Sequence, residues 1–449
     1  MRLGIICVWL GLVSVVFTGC KEAIEPVPAE TLTLVSSIPG DGDSDISVGK
    51  NEIVLTFSEN IKLHRPVGVQ INGEETDEIS PDFNELKIRM VLESGQEYHL
   101  FIPAGKIEGR ETGAFAPEIN IRFTTREVAP PVLVTPDPMP QTQKVFDFLQ
   151  DAFGSFLITG TMANVAWNNH EAEWVYQHTS RYPALNGYDY IHLHASPSSW
   201  IDYGNIDPVV EWWEQNGLVS MMWHWNVPVE KGSEEYAFYT AETSFDVSKA
   251  VQPGTSEYEI VLADFEKIGD YLSLLKKKNI PVIWRPLHEG AGKWFWWGAK
   301  GAESYKKLWK LMFEKFQDRG LDHLIWVWTS QIGDDDWYPG DEYVDIIGRD
   351  VYNIEDVDKL ETEYQWLKDH FPAKLLTLSE FGQLPDMASQ WKKGLHWVWM
   401  MPWYDYERTL NPSGSAFQER SHRFADISYW ERVWEDKKFI SRDQMPDLK

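Results

Sequence analysis

Eight short apolar runs, each followed by a helical stretch or a long loop, recur across residues 142–437. The runs occupy 156–162, 188–194, 219–227, 281–289, 324–330, 344–352, 375–381 and 395–403. Helical periodicity fills 207–216, 257–278, 303–318 and 357–370 between them. Strands that alternate with helices call for a parallel sheet, because the crossover between parallel strands needs a dozen or more residues. Eight such units in about 300 residues predict an α/β fold of the (β/α)8, or TIM, barrel class. A doubly wound open sheet is the competing arrangement. It would want a Gly-rich phosphate turn after an early strand, and the sequence has none. In a barrel the chemistry gathers at the carboxyl ends of the strands, so the polar residues there are the ones to inspect.

The rest of the chain is organised differently. Of 23 tryptophans, all but Trp9 lie from Trp167 to Trp434, and residues 20–166 hold none. The boundary in composition predicts separate domains. Residues 1–19 carry Arg2, an apolar run from Leu3 to Val16, and a small residue before a cut, which is the pattern of an export signal. The run is short for a membrane span. Phe17-Thr18-Gly19-Cys20 resembles a lipobox, which implies a lipid on Cys20 and anchoring to the outer membrane of a Gram-negative bacterium, on the cell surface or the periplasmic face. Residues 20–29 read as a tether. Residues 30–127 carry frequent turn signals between short β-prone runs and predict a small all-β sandwich. Ser37-Ile38-Pro39-Gly40-Asp41-Gly42, Leu55-Thr56-Phe57-Ser58-Glu59 and Phe123-Thr124-Thr125 resemble a bacterial immunoglobulin-like domain. With no tryptophan and only Tyr98 as an available sugar platform, the sandwich reads as a spacer rather than a glycan-binding module. Residues 128–141 are Pro-rich and read as an extended linker, and 438–449 as a C-terminal tail. Only two cysteines, Cys7 and Cys20, exclude a disulfide scaffold or a thiolate zinc site. A net charge of −28 excludes a nucleic-acid backbone as partner.

Two strand ends stand out. The fourth closes Trp284-Arg285-Pro286-Leu287-His288-Glu289, and the seventh closes Leu378-Ser379-Glu380-Phe381-Gly382. A strand interior does not tolerate a lone charge, so both glutamates belong at the mouth. Strands four and seven sit on opposite sides of an eight-strand ring, so their carboxyls can face each other. Glycoside hydrolysis needs two such carboxyls, one to protonate the leaving oxygen and one to attack or to activate water.

At these residues the chain resembles glycoside hydrolase family 26, the β-mannanases. The resemblance rests on Arg285-Pro286-Leu287-His288-Glu289, Gly292-Lys293-Trp294-Phe295-Trp296-Trp297-Gly298 and Leu378-Ser379-Glu380-Phe381-Gly382. Trp223-His224-Trp225-Asn226, Phe245-Asp246-Val247, Asp350-Val351-Tyr352 and Met401-Pro402-Trp403 support it. It implies a retaining hydrolase of β-1,4-mannosidic bonds in mannan, glucomannan or galactomannan, with Glu289 as acid/base and Glu380 as nucleophile. It also implies carboxyls roughly 5–5.5 Å apart. One departure is visible: after His288-Glu289 the family often carries larger residues, where this chain has Gly290 and Ala291. Glucanase or xylanase activity at the same site, or a non-catalytic glycan-binding lipoprotein, are the alternatives.

Around this pair, burial and the Glu380 charge should keep Glu289 protonated at the start, while donors such as Tyr352 keep Glu380 ionised. His224 and His288 are expected to donate to sugar hydroxyls or to the carboxyls. Arg285 reaches either into the mouth or toward a buried carboxylate such as Asp350, and both are candidate substrate-binding residues. Trp294 and Trp403 lie just past strand ends, where an indole can stack on a pyranose. Trp326 and Trp328, Trp397 and Trp399, and Trp212 and Trp213 read as packing. Asp334-Asp335-Asp336 reads as a solvated loop rather than a metal site. No cofactor is expected. The expected partner is a neutral polysaccharide, and the expected state a monomer.

Overall fold

The computed structural model describes residues 31–449 except 166 and 199. The expected export signal, Cys20 and the tether therefore lie outside the described residues. The chain forms two compact units that divide between Arg126 and Glu127.

The first unit has two main sheets. One has four strands in the order Leu34–Ile38, Gly49–Phe57, Glu85–Leu92, Ile79–Asp82, all antiparallel. The other has five, with Ile119–Thr125 and Glu97–Ile102 at its centre. Ile119–Thr125 alternates buried and exposed along its whole length, the period-two pattern of a strand with one face on a core. Ile53, Leu55, Leu86, Ile88, Leu100 and Ile121 form that core. Tyr98 is only 7 % exposed. It stacks on Phe123, and its hydroxyl accepts the Glu93 N–H at 2.7 Å. Expected as an available sugar platform, it is instead part of the core.

The second unit is a closed barrel of eight parallel strands. They are β1 (Leu157–Met162), β2 (Leu185–Asp189), β3 (Leu218–Met222), β4 (Val282–Arg285), β5 (Leu324–Ser330), β6 (Ile346–Val351), β7 (Leu375–Phe381) and β8 (Trp399–Pro402). Neighbours pair in that order, and β1 pairs with both β8 and β2 to close the ring. The main helices around it are α1 (Pro140–Ala152), α2 (His170–Thr179), α3 (Asp207–Glu214), α4 (Ser256–Lys276), α5 (Ala302–Asp318), α6 (Val357–His370), α7 (Met387–Lys393) and α8 (Ile427–Val433). Among the described residues no helix is long and apolar enough to cross a membrane.

Several boundaries differ from expectation. The second strand starts earlier, at Leu185, because the buried Asn186 amide is satisfied by Thr161 and Asn169 and so tolerates the barrel wall. Strands three and four are shorter, and Glu289 stands on the turn beyond β4 rather than on the strand. The expected linker and tail are largely part of the barrel unit. Val134 N–H donates to Asp345, the Thr135 hydroxyl to the Leu324 carbonyl, and α1 begins at Pro140. Phe439–Ile440 pairs in parallel with the first half of β1, an edge that β2 leaves uncovered because it pairs only from Gly160 onward.

The tryptophan-rich composition fills this unit. Trp326 packs on Phe313 and Phe316 of α5, and Trp328 on Tyr338 and Phe371. Trp212, Trp213, Trp397 and Trp399 are buried, as expected of packing residues. Asp334 turns inward to accept from the Ser330 hydroxyl and the Gln331 N–H, whereas Asp335 and Asp336 are exposed.

Candidate active site

The turn after β4 carries the first carboxyl. Leu287 and Glu289 both have left-handed backbones, with φ of 49° and 54°. Such residues cost energy unless their surroundings hold them, and they concentrate at functional sites. Here Tyr305 donates its hydroxyl to the Leu287 carbonyl at 2.9 Å, and the Trp297 indole donates to the His288 carbonyl at 2.9 Å. The turn is thus pinned by two buried aromatic donors. A Cβ at Gly290 would stand 2.4 Å from the Tyr305 ring, so the small residue after Glu289 follows from that packing.

The second carboxyl sits at the end of β7. The register of β7 against β6 runs Arg349↔Leu378 and then Asp350↔Glu380, so Ser379 is an extra residue. The pairing with β8 slips over the same stretch. A bulge of this kind re-aims the side chain that follows it. Ser379 donates to Asp350 Oδ1 at 2.7 Å.

Arg285 joins the two sides. Its Nη2 donates to Glu380 Oε2 at 2.6 Å and its Nη1 to Asp350 Oδ2 at 2.7 Å, with Thr329 Oγ1 at 3.3 Å. The Arg285 side chain is 2 % exposed and that of Asp350 is 1 %. Both were expected to bind substrate. The structure instead pairs them with each other beneath the mouth, and of the two options for Arg285 it realises the buried carboxylate. Tyr352 donates to the other oxygen of Glu380, Oε1, at 2.5 Å.

The two glutamates therefore sit in unlike surroundings. Burial and the Asp350 charge raise the Glu380 carboxyl, and Arg285 and the Tyr352 hydroxyl offset only part of that rise. Burial, then the charges of Asp350 and Glu380, push Glu289 up further, opposed by the Arg285 charge and one indole hydrogen bond. That bond comes from Trp294 Nε1 to Glu289 Oε2 at 3.0 Å. The proton shared by this pair consequently rests on Glu289 and leaves Glu380 charged.

The remaining expected residues cluster nearby. His224 Nδ1 lies 2.6 Å from Asp189 Oδ2, and the His224 backbone N–H donates to Asp189 Oδ1 at 3.0 Å. His288 contacts the His224 ring and is fully buried, which holds it neutral well below the ordinary histidine range. Among the described residues its Nδ1 has no hydrogen-bond partner. Trp403 is half-buried with its ring 5.9 Å from that of His224. Trp294, at 42 % exposure, and Tyr352, at 37 %, keep open faces. Sequence reasoning missed Asp189, the partner of His224. It ends β2 and was hidden inside an expected strand placed too late.

The family model for Glycosyl hydrolase family 26 matches residues 134–422. Among curated proteins, the chain is 31 % identical over 328 residues to the mannan endo-1,4-beta-mannosidase B of a Piromyces species, covering 71 % of this chain and 54 % of that one. It is 34 % identical over 275 residues to the mannan endo-1,4-beta-mannosidase of Thermothelomyces thermophilus, covering 58 % and 54 %. The chain thus spans about half the length of the curated relatives it matches. Among solved structures, the GH26 domain of an endo-beta-mannanase/endo-beta-glucanase from Prevotella bryantii superposes with a TM-score of 0.64 at 34 % identity, covering 70 % of this chain and 99 % of that one. A beta-mannanase from a symbiotic protist of the termite Reticulitermes speratus, complexed with gluco-manno-oligosaccharide, gives 0.60 at 33 % identity, covering 70 % and 97 %.

Proposed function

Because the chain belongs to glycosyl hydrolase family 26, we propose that it is a retaining β-mannanase that cleaves β-1,4-mannosidic bonds of mannan, glucomannan or galactomannan. The observation that carries this reading is the unequal pair of carboxyls. Glu380 is held charged by Arg285 and Tyr352, and Glu289 is held protonated by burial and its acidic neighbours.

Glu380 attacks the anomeric carbon while Glu289 gives its proton to the glycosidic oxygen, so that bond breaks and a glycosyl ester forms on Glu380. Esterification removes the Glu380 charge. The repulsion on Glu289 falls with it, and the Glu289 carboxylate can then take a proton from water as that water attacks the anomeric carbon, breaking its bond to Glu380 and freeing the carboxylate. Tyr352 loses its ionic acceptor in the intermediate and regains it on hydrolysis. Asp189 fixes the His224 ring so that Nε2 faces the sugar, and Trp294 and Trp403 offer stacking faces.

The test is hydrolysis of mannan by the Glu380→Ala variant. A loss of at least about 1000-fold is expected, and full activity would overturn the assignment. Proton NMR of early product should show retained configuration. A product profile on mannan, glucomannan, lichenan and xylan ranks the substrates, and preference for lichenan or xylan would replace the mannan reading with the glucanase or xylanase one.

We further propose that the first unit is an immunoglobulin-like spacer and that Cys20 carries a lipid that anchors the protein to an outer membrane. The burial of Tyr98 and the Phe17-Thr18-Gly19-Cys20 pattern support these two readings. Mass spectrometry of the exported protein for an acylated Cys20 tests the anchor. The protein works as a monomer in this scheme, since one chain supplies Arg285, Glu289, Tyr352 and Glu380. Sedimentation of the protein without its lipid checks that state.

A further inference from the structure

We propose that the segment following β8, residues 403–426, positions Tyr352 for its hydrogen bond to Glu380, with Phe424 as the wall and the buried Glu171–His422 pair as the latch that holds the wall. The inference rests on the reading of Glu380 as the reacting carboxylate.

Glu171 lies on α2, and its side chain is 4 % exposed. A buried carboxylate is costly unless its lone pairs are filled. Among the described residues, all three of its side-chain hydrogen bonds come from the segment after β8. Oε1 accepts the Asp405 N–H at 2.9 Å and the Thr409 hydroxyl at 2.7 Å, and Oε2 takes His422 Nε2 at 3.1 Å. One side chain therefore ties both the start and the end of this long loop to the barrel.

His422 can play its part in one tautomer only. Its Nδ1 accepts the backbone N–H groups of Phe424 at 3.1 Å and Ala425 at 3.0 Å. That leaves the hydrogen on Nε2, pointing at Glu171. The imidazole thus carries the order of the buried carboxylate directly into the backbone of Phe424.

The Phe424 ring meets Tyr352 edge-on, with centroids 6.0 Å apart and planes at 79°. Among the described residues it is the one aromatic ring in contact with Tyr352. Gly382 stands next to both: a Cβ there would lie 2.4 Å from Tyr352 Cδ1 and 3.4 Å from Phe424 Cδ1. Tyr352 keeps 37 % of its surface exposed, and these two neighbours back its ring and so set where its hydroxyl points. Without the wall the phenol is free to swing to water, and Glu380 keeps only Arg285 as a donor. The charged groups facing Glu380 are Arg285, Asp350 and Glu289, and none of them is altered by a change at 424.

The test is a double-mutant cycle on the full chain with mannohexaose, combining Phe424→Leu with Tyr352→Phe. Phe424→Leu should lower kcat about tenfold, leave KM within about twofold, and move the acid limb of kcat/KM up by about one pH unit, the size expected for a weakened charge-assisted hydrogen bond. In the Tyr352→Phe background the same substitution should cost less than about twofold. Phe424→Tyr should restore the wild-type profile. An equal loss in both backgrounds, or an unmoved acid limb, would overturn the proposal. Glu171→Gln gives a second route to the latch, since its amide can set an N–H against His422 Nε2–H, and the same split of kcat from KM is expected. If the wild type failed to cleave β-mannan, the proposed function would fall on its own. Carbon-13 NMR titration of the Glu380 carboxyl in wild type and Phe424→Leu would then decide the latch alone, a rise supporting it and no change refuting it.

Discussion

Arg285→Met is the sharpest probe of the site. Methionine fills much of the arginine volume but removes the cation that Glu380 and Asp350 share at 2.6 and 2.7 Å. At an effective dielectric of about 20, a charge pair about 4 Å apart is worth about 4 kcal/mol. Breaking a buried pair by deleting one partner costs about 3–5 kcal/mol. At 1.36 kcal/mol per unit, the Glu380 carboxyl should rise by about two units or more. At slightly acid pH it would then be mostly protonated, and kcat/KM on mannohexaose should fall by about 100-fold or more. The pH profile separates this from simple misfolding, because the acid limb should climb toward the alkaline limb set by Glu289 and leave a narrow maximum. Stability carries the same signature. Both carboxyls already have folded-state values raised above their unfolded ones, and the variant raises Glu380 further, so its folded state binds more protons than the wild type does. The destabilisation should therefore be largest at alkaline pH and shrink as the pH falls through the raised values. Urea titrations at pH 5 and pH 8 measure it. An acid limb that stays in place, or a stability loss equal at both pH values, would refute the reasoning.

Gly382→Ala drives a methyl against the Tyr352 ring and should cost about tenfold or more in kcat with little change in unfolding midpoint, read by steady-state kinetics beside denaturant titration. Trp294→Phe keeps a stacking face but removes the indole donor to Glu289, so the alkaline limb of kcat/KM should move up by about half a unit. Asp189→Asn weakens the hold on His224 and should raise KM for mannohexaose more than it lowers kcat, as expected for a sugar-positioning ring. His323 is fully buried, and burial lowers it from 6.5 to about 3. The unfolded chain therefore binds the extra proton below pH 6.5, and this group removes up to about 1.4 kcal/mol of stability per pH unit on acidification. His323→Leu should be less acid-sensitive than wild type between pH 6.5 and 4.5 in urea titrations.

The barrel was legible because its signal is periodic. Runs such as 324–330 and 375–381 coincide with β5 and β7, since a strand covered on both faces is largely apolar along its length. Boundaries failed where a side chain satisfied a local conflict from a distance. Asn186 entered β2 because Thr161 and Asn169 bond it, and Phe439–Ile440 became a strand because β1 offered an edge. The carboxyls were legible as charges at the ends of apolar runs. Their environment was not. The bulge at Ser379 is a relation between β6, β7 and β8, and nothing in the order Leu378-Ser379-Glu380 reveals it.

Glu289 and Glu380 are the same residue type, so what makes one an acid and the other a nucleophile has to come from groups that never touch the sugar. Arg285 and Asp350 lie 65 residues apart and Arg285 and Glu380 lie 95 apart, yet the three share one set of hydrogen bonds. Burial of that cation is costly for folding, and its pairing with Asp350 and Glu380 offsets the cost. Its effect is differential: it stabilises the charged form of Glu380 through direct contact, whereas Glu289 feels it more weakly and is dominated by burial and repulsion. A single central cation displaced toward one carboxyl thereby splits two equal acids, and the bulge at Ser379 supplies the displacement by turning Glu380 toward it. An activity lost on removing the cation should then be partly recovered by raising the pH, which no purely steric account of Arg285 would allow.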